Sequence, residues 1–180
     1  SSPRRQRQMC IRDRLKGVNV TIPYKQEVMP FLDNLDEVSK AIGAVNTIVF
    51  DEDGTTTGYN TDYIGFQKSI DPMVTAEIEA ALVLGTGGAS KAVVYALHKM
   101  GIETQYVSRK KGPNNLTYDD ITDLILKGHK LIVNCTPLGT HPNILEKPNL
   151  NYDQLTSKHI LFDLIYNPTE TAFMKAGKKA

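Results

Sequence analysis

The 180-residue chain has few of the residues that build cross-links or metal sites. Its two cysteines, Cys10 and Cys135, have neither the spacing of a metal site nor the number needed for a disulfide framework. The four histidines lie far apart, and no apolar run approaches the roughly 18 residues that a membrane span needs. Together these features predict a soluble protein of a reducing cytoplasm, with no resident metal ion.

Positive charge is concentrated at the N-terminus. Residues 1–14 hold five arginines and one aspartate with no apolar segment behind them, which is not the pattern of a secretory signal. We interpret this segment as non-native sequence, the alternative being a basic arm that binds nucleic acid or a membrane surface. The chain also starts without methionine and stops soon after a helix begins, so we expect both ends to be truncated.

The most informative segment runs from an apolar strand through a glycine-rich turn into a helix. Residues 80–84 are the predicted strand, and Gly85-Thr86-Gly87-Gly88-Ala89-Ser90 is the turn. Apolar residues then recur at helical spacing from 89 to 100. This arrangement points backbone N–H groups at an anion, usually the pyrophosphate of a dinucleotide. The turn differs from G-x-G-x-x-G in its last residue, and the alternative is a tight connection without a ligand.

A second predicted strand, residues 103–107, ends in Ser108-Arg109-Lys110-Lys111. An NAD-binding unit carries Asp or Glu near this point to bind the ribose 2′-hydroxyl, whereas positive side chains suit a 2′-phosphate. The sequence therefore predicts NADP as the cofactor. A P-loop is excluded, because Lys91 lies between Ser90 and Ala92.

Strands and helices alternate in two regions, with a predicted boundary at Asp71-Pro72. The first region is predicted to contain a strand over 17–22, a helix from Pro23, a helix over 33–42, a hairpin of 45–50 and 55–59, and a helix over 61–70. The second region adds strands at 130–134 and 159–164 and a helix over 118–127 to the elements above. This alternation predicts an α/β protein with a Rossmann-type parallel sheet after a smaller, partial α/β unit.

Groups that could act on a substrate are concentrated in the first region. Asn19 and Thr21 share one face of a strand, and Lys25 follows, where it could exchange a proton with a substrate hydroxyl. Asp62 opens a predicted helix, which Asn60 or Thr61 could simply cap. Each residue alone has such a structural explanation. Together they collect at strand ends and helix starts, where α/β folds bind ligands.

Six blocks of sequence carry a resemblance to a known family. They are Asn-Val-Thr-Ile-Pro-Tyr-Lys (19–25), Gly-Ala-Val-Asn-Thr (43–47), Asn-Thr-Asp (60–62), the glycine turn (85–90), Asn-Cys-Thr-Pro-Leu-Gly (134–139) and Asp-Leu-Ile-Tyr-Asn-Pro (163–168). Their order and spacing resemble shikimate dehydrogenase. The resemblance implies a reversible, NADPH-dependent reduction of 3-dehydroshikimate to shikimate, a step of aromatic amino-acid biosynthesis.

The resemblance also implies roles for particular residues. Lys25 and Asp62 match the family's catalytic pair, and Thr21, Asn46 and Tyr166 match positions that contact the substrate. The implied cofactor-binding residues are Gly85, Gly87, Gly88, Ala89, Ser90, Ser108, Arg109, Lys110 and Thr136. The family's Asn-Arg-Thr segment is altered to Ser-Arg-Lys here, although Arg109 keeps its place.

By this resemblance, residues 15–71 are a partial substrate-binding domain and residues 72–167 the NADP-binding domain. Residues 168–180 would begin a helix that returns to the first domain. The family's Ser-x-Ser segment is not found before Gly17, nor are its last helices present, so we expect this chain to be weakly active or inactive.

The expected partner is a small-molecule substrate, shikimate or 3-dehydroshikimate, and neither nucleic acid nor a membrane. A homodimer is the candidate assembly. Two alternatives stay open: an NAD-dependent quinate/shikimate dehydrogenase, and a fragment that only binds nucleotide.

Overall fold

The computed structural model describes residues 15–180, which divide into two compact units, one ending at Asp62 and the other beginning at Tyr63. The boundary predicted from the sequence lies later, at Asp71-Pro72. In the structure, the helix Asp62–Ile70 instead belongs almost wholly to the second unit. Residues 1–14, interpreted above as non-native sequence or a basic arm, lie outside the described residues.

The first unit is built on a mixed four-stranded sheet. Its strands, in the spatial order β1-β3-β4-β2, are β1 (Gly17–Asn19), β2 (Asn34–Leu35), β3 (Thr47–Phe50) and β4 (Thr56–Tyr59). β3 and β4 form the predicted antiparallel hairpin, and β1 pairs antiparallel with β3. Helix α1 (Glu37–Ile42) begins after its N-cap Asp36, whose carboxylate accepts a hydrogen bond from the Ser39 N–H at 2.9 Å.

The prediction of a helix beginning at Pro23 is wrong. Residues 22–28 form successive turns, which lead into a single 3-10 turn, Met29–Phe31. The Ile22–Pro23 peptide is cis. Lys25 lies within the turns of residues 22–28 rather than at a helix start, and its carbonyl accepts a hydrogen bond from the Val45 N–H at 2.7 Å.

Two other predicted elements of the first unit are shorter than expected. The first strand ends at Asn19 rather than at residue 22. The helix predicted over 33–42 begins only at Glu37, because Asn34–Leu35 form β2 and pair in parallel with β4.

The second unit is built on a parallel five-stranded sheet. Its strands, in the order β7-β6-β5-β8-β9, are β5 (Ala80–Leu84), β6 (Glu103–Ser108), β7 (Asn115–Thr117), β8 (Leu131–Asn134) and β9 (Ile160–Asp163). Counted from β5, this is the order 3-2-1-4-5 of a Rossmann-type sheet. The order reverses at β5, whose carboxyl end leads into the glycine turn.

Helices cover both faces of this sheet. They are α2 (Asp62–Ile70), α3 (Gly88–Lys99), α4 (Asp123–Gly128) and α5 (Ala172–Lys179). Ala81 and Val83 of β5 belong to a core shared with α2 and α3, whereas Leu82 and Leu84 belong to a core shared with α4 and α5. Burial on both faces explains why β5 is a continuous apolar run rather than an alternating one.

The helix predicted over 118–127 is interrupted. A 3-10 turn, Tyr118–Asp120, has Thr117 and Asp120 as a capping box, and Thr122 then caps α4. Because each cap starts a new turn, the chain cannot continue as one helix. Every helix within residues 15–180 is too short or too polar to cross a bilayer.

Candidate functional site

Lys25 and Asp62, which lie 37 positions apart in the sequence, form an ion pair. Nζ of Lys25 is 2.7 Å from Oδ2 of Asp62, and the two side chains are 14% and 34% exposed. Lys25 lies in the turn after β1, and Asp62 is the first residue of α2. The structure thus brings the two residues of the predicted catalytic pair into direct contact, with the carboxylate still open on one side.

Two asparagines position Asp62, Asn46 through the carboxylate and Asn60 through the backbone N–H. Nδ2 of Asn46 donates to Oδ1 of Asp62 at 2.8 Å, so each carboxylate oxygen has its own donor. Oδ1 of Asn60 accepts from the Asp62 N–H at 3.1 Å, while its Nδ2 donates to the Ala44 carbonyl at 2.9 Å. The helix-capping explanation of Asn60 is therefore supported. The same bond also fixes where α2, and hence Asp62, begins.

The side chain of Asn46 forms more hydrogen bonds within the protein than its sequence position indicates. Its Oδ1 accepts from the Thr61 N–H at 2.9 Å, and its Nδ2 lies 2.9 Å from Oγ1 of Thr61. Together with the bond to Asp62, these contacts give Asn46 a positioning role for the carboxylate. Its contact with a substrate stays a prediction.

We expect Asn60→Ala to lower the free energy of unfolding by about 1–3 kcal/mol, because the buried Ala44 carbonyl loses its donor. Asn60 is only 4% exposed, so water does not readily replace the amide. Urea denaturation measures the effect. Asn34→Ala, at an exposed position of β2, is the control and should change stability by less than about 0.5 kcal/mol. Equal stability of the two variants would contradict the assignment.

Two of the side chains predicted to contact substrate are exposed. Thr21 lies in the segment before Lys25, and its carbonyl accepts from the Tyr24 N–H at 2.9 Å. Tyr166 belongs to the second unit, follows β9 and is 92% exposed. Both side chains are accessible to a ligand, and their roles stay predictions.

Gly85 is required by the close approach of two chain segments. Its φ is +105°, and a Cβ there would lie 3.3 Å from both the Cys135 carbonyl oxygen and the Thr136 methyl. A larger residue would be strained and crowded at once. The glycine turn after β5 therefore rests directly on the segment that follows β8.

Gly87 differs from Gly85, because the protein itself does not require a glycine there. Its φ of −81° suits any residue, and a Cβ would meet no protein atom within 4 Å. Gly87 is the N-cap of α3, so the N–H groups of Gly88, Ala89 and Ser90 lie in the first turn, where a helix offers no acceptor. Such N–H groups suit a phosphate.

Ser90, which takes the place of the last glycine of the motif, is fully buried. Its Oγ donates to the Gly87 carbonyl at 2.7 Å, so the hydroxyl is satisfied within the turn. A small residue with an internal hydrogen bond thus fills this position without loosening the packing of α3.

The positive residues after β6 lie on a compact loop. Oγ of Ser108 donates to the Lys110 carbonyl at 2.6 Å, and the side chains of Arg109 and Lys110 are exposed. Burial raises the pKa of Tyr118, and the positive charge of Arg109 opposes that rise. The loop therefore offers exposed positive charge to an anion.

Thr136 uses its hydroxyl within the protein. Oγ1 donates to Oδ1 of Asn134 at 2.6 Å and accepts from the Leu138 N–H at 3.3 Å. Nδ2 of the fully buried Asn134 in turn donates to Oδ1 of Asp163, at 3.0 Å. The methyl group of Thr136 faces Gly85. Any contact of Thr136 with a cofactor stays a prediction.

Asp163 ties the end of β9 to the start of α5. Its Oδ2 accepts from Oγ1 of Thr171 at 2.6 Å, and its Oδ1 accepts from the Ile165 N–H at 3.0 Å. Burial raises the pKa of Asp163, whereas the hydrogen bonds from Thr171, Ile165 and Asn134 act against that rise. No sequence signal assigned this role to Asp163 or Asn134, because the two are 29 positions apart and meet only through strand pairing.

Neither metal nor thiol chemistry is supported by the part of the chain that the structure describes. Residues 15–180 contain no group of three or more His, Cys, Asp or Glu side chains placed to hold a metal ion. Burial raises the pKa of the Cys135 thiol well above its usual range, which favours the uncharged thiol over the thiolate.

These features define a class of α/β protein, in which a Rossmann-type sheet with a glycine turn follows a smaller unit that carries a Lys–Asp pair. A family model described as the substrate-binding domain of shikimate dehydrogenase matches residues 4–48. The shikimate dehydrogenase (NADP(+)) of Clostridium beijerinckii is 44% identical over 93% of this chain and 64% of its own length. The shikimate dehydrogenase structure from Aquifex aeolicus is 33% identical, with a TM-score of 0.79 over 99% of this chain and 70% of that chain. The chain belongs to the shikimate dehydrogenase family.

A second solved structure shares the fold with a different name. Quinate dehydrogenase from Corynebacterium glutamicum, in complex with NAD, is 28% identical and has a TM-score of 0.81 over 99% of this chain and 69% of that chain. The predicted fold class is confirmed by these likenesses. The chain spans 64% of the length of the C. beijerinckii relative, so what the whole protein does is inferred below.

Proposed function

We propose that the protein containing this chain is an NADP-dependent shikimate dehydrogenase, which reversibly reduces 3-dehydroshikimate to shikimate. The observation that carries the proposal is the 2.7 Å contact between Lys25 and Asp62 in a member of this family. The names of the relatives support the reaction and the cofactor.

The proposed reaction needs a proton at the substrate oxygen. NADPH, when bound, supplies the hydride that turns the ketone carbon into an alcohol carbon. The Lys25 ammonium is a suitable donor of a proton to the oxygen that becomes negative, and in reverse the amine takes that proton from the hydroxyl. Oδ2 of Asp62 orients the ammonium, while Asn46 on Oδ1 keeps the carboxylate from turning away.

The proposed cofactor contacts all belong to the second unit. The first-turn N–H groups of α3 suit the pyrophosphate, and Arg109 and Lys110 suit a 2′-phosphate. The likeness to an NAD-bound quinate dehydrogenase keeps NAD and quinate as the second candidate pair. Arg109 and Lys110 favour NADP, because a ribose 2′-hydroxyl gives two cations nothing to pair with.

The proposal assigns substrate binding to residues 15–71 and cofactor binding to residues 72–167. It takes a small molecule as the partner, rather than nucleic acid or a membrane. The cytoplasmic location and the homodimer stay predictions.

The test is a steady-state assay of the purified full-length protein. We expect shikimate with NADP⁺ to give NADPH, with a kcat/KM at least about 100-fold above that for NAD⁺, as two charge-assisted contacts would produce. Quinate is run beside shikimate with each cofactor. No turnover of shikimate, or a preference for quinate with NAD⁺, would contradict the proposal.

A further inference from the structure

The loop that carries Arg109 and Lys110 is unusually short for its topology. Residues 109–114 alone connect β6 to β7, although the two strands are parallel neighbours. Parallel neighbours ordinarily need a crossover of about a dozen residues or more. Because Tyr106 pairs with Asn115, the chain must turn back sharply and run beside the strand it has just left.

The side chain of Asn115 fills the inside of this loop. Its Nδ2 lies 2.9 Å from both Oγ of Ser108 and the Lys110 carbonyl, with the Leu116 carbonyl at 3.1 Å as a third acceptor. A Cβ on Gly112 would collide with Oδ1 of Asn115, so the glycine allows the loop to close against the amide. The Asn115 side chain therefore joins the end of β6, at Ser108, to the backbone of the loop at Lys110.

The three positive residues of the loop, Arg109, Lys110 and Lys111, differ in whether they have a carboxylate partner. Within residues 15–180, Lys111 has a carboxylate partner, Oδ1 of Asp120 at 3.8 Å, whereas Arg109 and Lys110 form no ion pair. The Lys110 carbonyl points to the inside of the loop, where it accepts hydrogen bonds from Oγ of Ser108 and Nδ2 of Asn115. The two unpaired cations are thus held on the outer side of a loop whose shape Asn115 sets.

We propose that Asn115 is a positioning residue that determines cofactor selectivity, because it holds Arg109 and Lys110 where they meet the 2′-phosphate of NADPH. The inference rests on the proposed function. The proposed effect of Asn115 passes through the backbone of the loop, by its bond to the Lys110 carbonyl, and needs no contact between Asn115 and a phosphate. Its removal should therefore weaken NADPH while sparing NADH, which lacks the group that the loop binds.

The experiment measures the dissociation constants of NADPH and NADH by fluorescence titration of the full-length protein. For Asn115→Ala we expect the NADPH constant to rise about tenfold or more and the NADH constant to change by less than about twofold, since a misplaced charge-assisted contact is lost for NADPH alone. Asn114→Ala is the matched control. It removes an exposed neighbouring amide that makes no side-chain hydrogen bond among the described residues.

Ser108→Ala keeps the test decisive if Asn115→Ala does not fold. It removes the hydroxyl that donates to the Lys110 carbonyl and accepts from Nδ2 of Asn115, and should shift selectivity in the same direction by about two- to fivefold. Equal weakening of both nucleotides in the folded variant, or no change in either, would overturn the role of Asn115 alone. A wild-type protein that binds NADH as tightly as NADPH would overturn the proposed cofactor, and the inference with it.

Discussion

Lys25→Met is expected to lower kcat for shikimate oxidation by about 1000-fold and to leave the KM for NADP⁺ within about twofold, in the range typical of a lost acid–base group. Methionine keeps the length of the side chain but holds no exchangeable proton. The proposed cofactor-binding residues lie in the second unit, so we expect their contacts to persist. Steady-state kinetics with saturating shikimate separates the two parameters.

Lys40→Met is the matched control for this prediction. Lys40 is also paired with a carboxylate of the first unit, Oε1 of Glu37 at 2.9 Å, but its side chain is 53% exposed and lies on α1. We expect wild-type kinetics from Lys40→Met. Activity of Lys25→Met within tenfold of the wild type, or an equal loss in both variants, would argue against the catalytic assignment.

The second large effect is expected at the glycine turn, where Gly87→Ala should raise the dissociation constant of NADPH about 30-fold, which corresponds to about 2 kcal/mol. A Cβ at Gly87 meets no protein atom, and the backbone there suits alanine, so the unfolding temperature should hardly change. We expect the added methyl group to stand instead where the backbone would approach the pyrophosphate. Titration with NADPH and thermal unfolding measure the two quantities separately.

Gly85→Ala should behave in the opposite way, since it strains a φ of +105° and crowds Cys135 and Thr136. We expect a loss of stability of at least about 1 kcal/mol before any nucleotide is added. Gly128→Ala, at the end of α4, meets no atom within 4 Å and serves as the neutral control. Wild-type affinity for NADPH in Gly87→Ala would contradict the placement of the pyrophosphate.

The extent to which the sequence predicts this structure differs between the two units. The segment from β5 through α3 is predicted nearly residue for residue, because a buried strand, a glycine turn and a helical period all agree. The turn around Lys25 is mispredicted, because Pro23 is typical of a first helical residue and no local signal reveals the turns that follow it. β7 is missing from the prediction, because three residues with a single apolar side chain are too few to establish a period.

For the candidate site as well, the sequence predicts individual residues better than the contacts between them. Lys25 and Asp62 are recognisable by their blocks, but the contact of Asn46 with Asp62 spans 16 positions and exists only because β3 and β4 pair as a hairpin. Asn115 acts through a bond to the Lys110 carbonyl, and Asp163 through bonds to the side chains of Asn134 and Thr171, which residue type alone does not reveal. The sequence shows which chemical groups are present, whereas the register of the strands determines which side chains form hydrogen bonds with each other.

The two supports of the cofactor region lie on opposite sides of β5. The glycine turn rests on the segment after β8, which Asn134 and Asp163 fasten to β9, whereas the loop with Arg109 and Lys110 is held from β7 by Asn115. Neither set of bonds shares a residue with the other. We therefore expect tightness of binding and choice of nucleotide to be separately adjustable, and a redesign of residues 108–115 to shift the preference between the two nicotinamide cofactors.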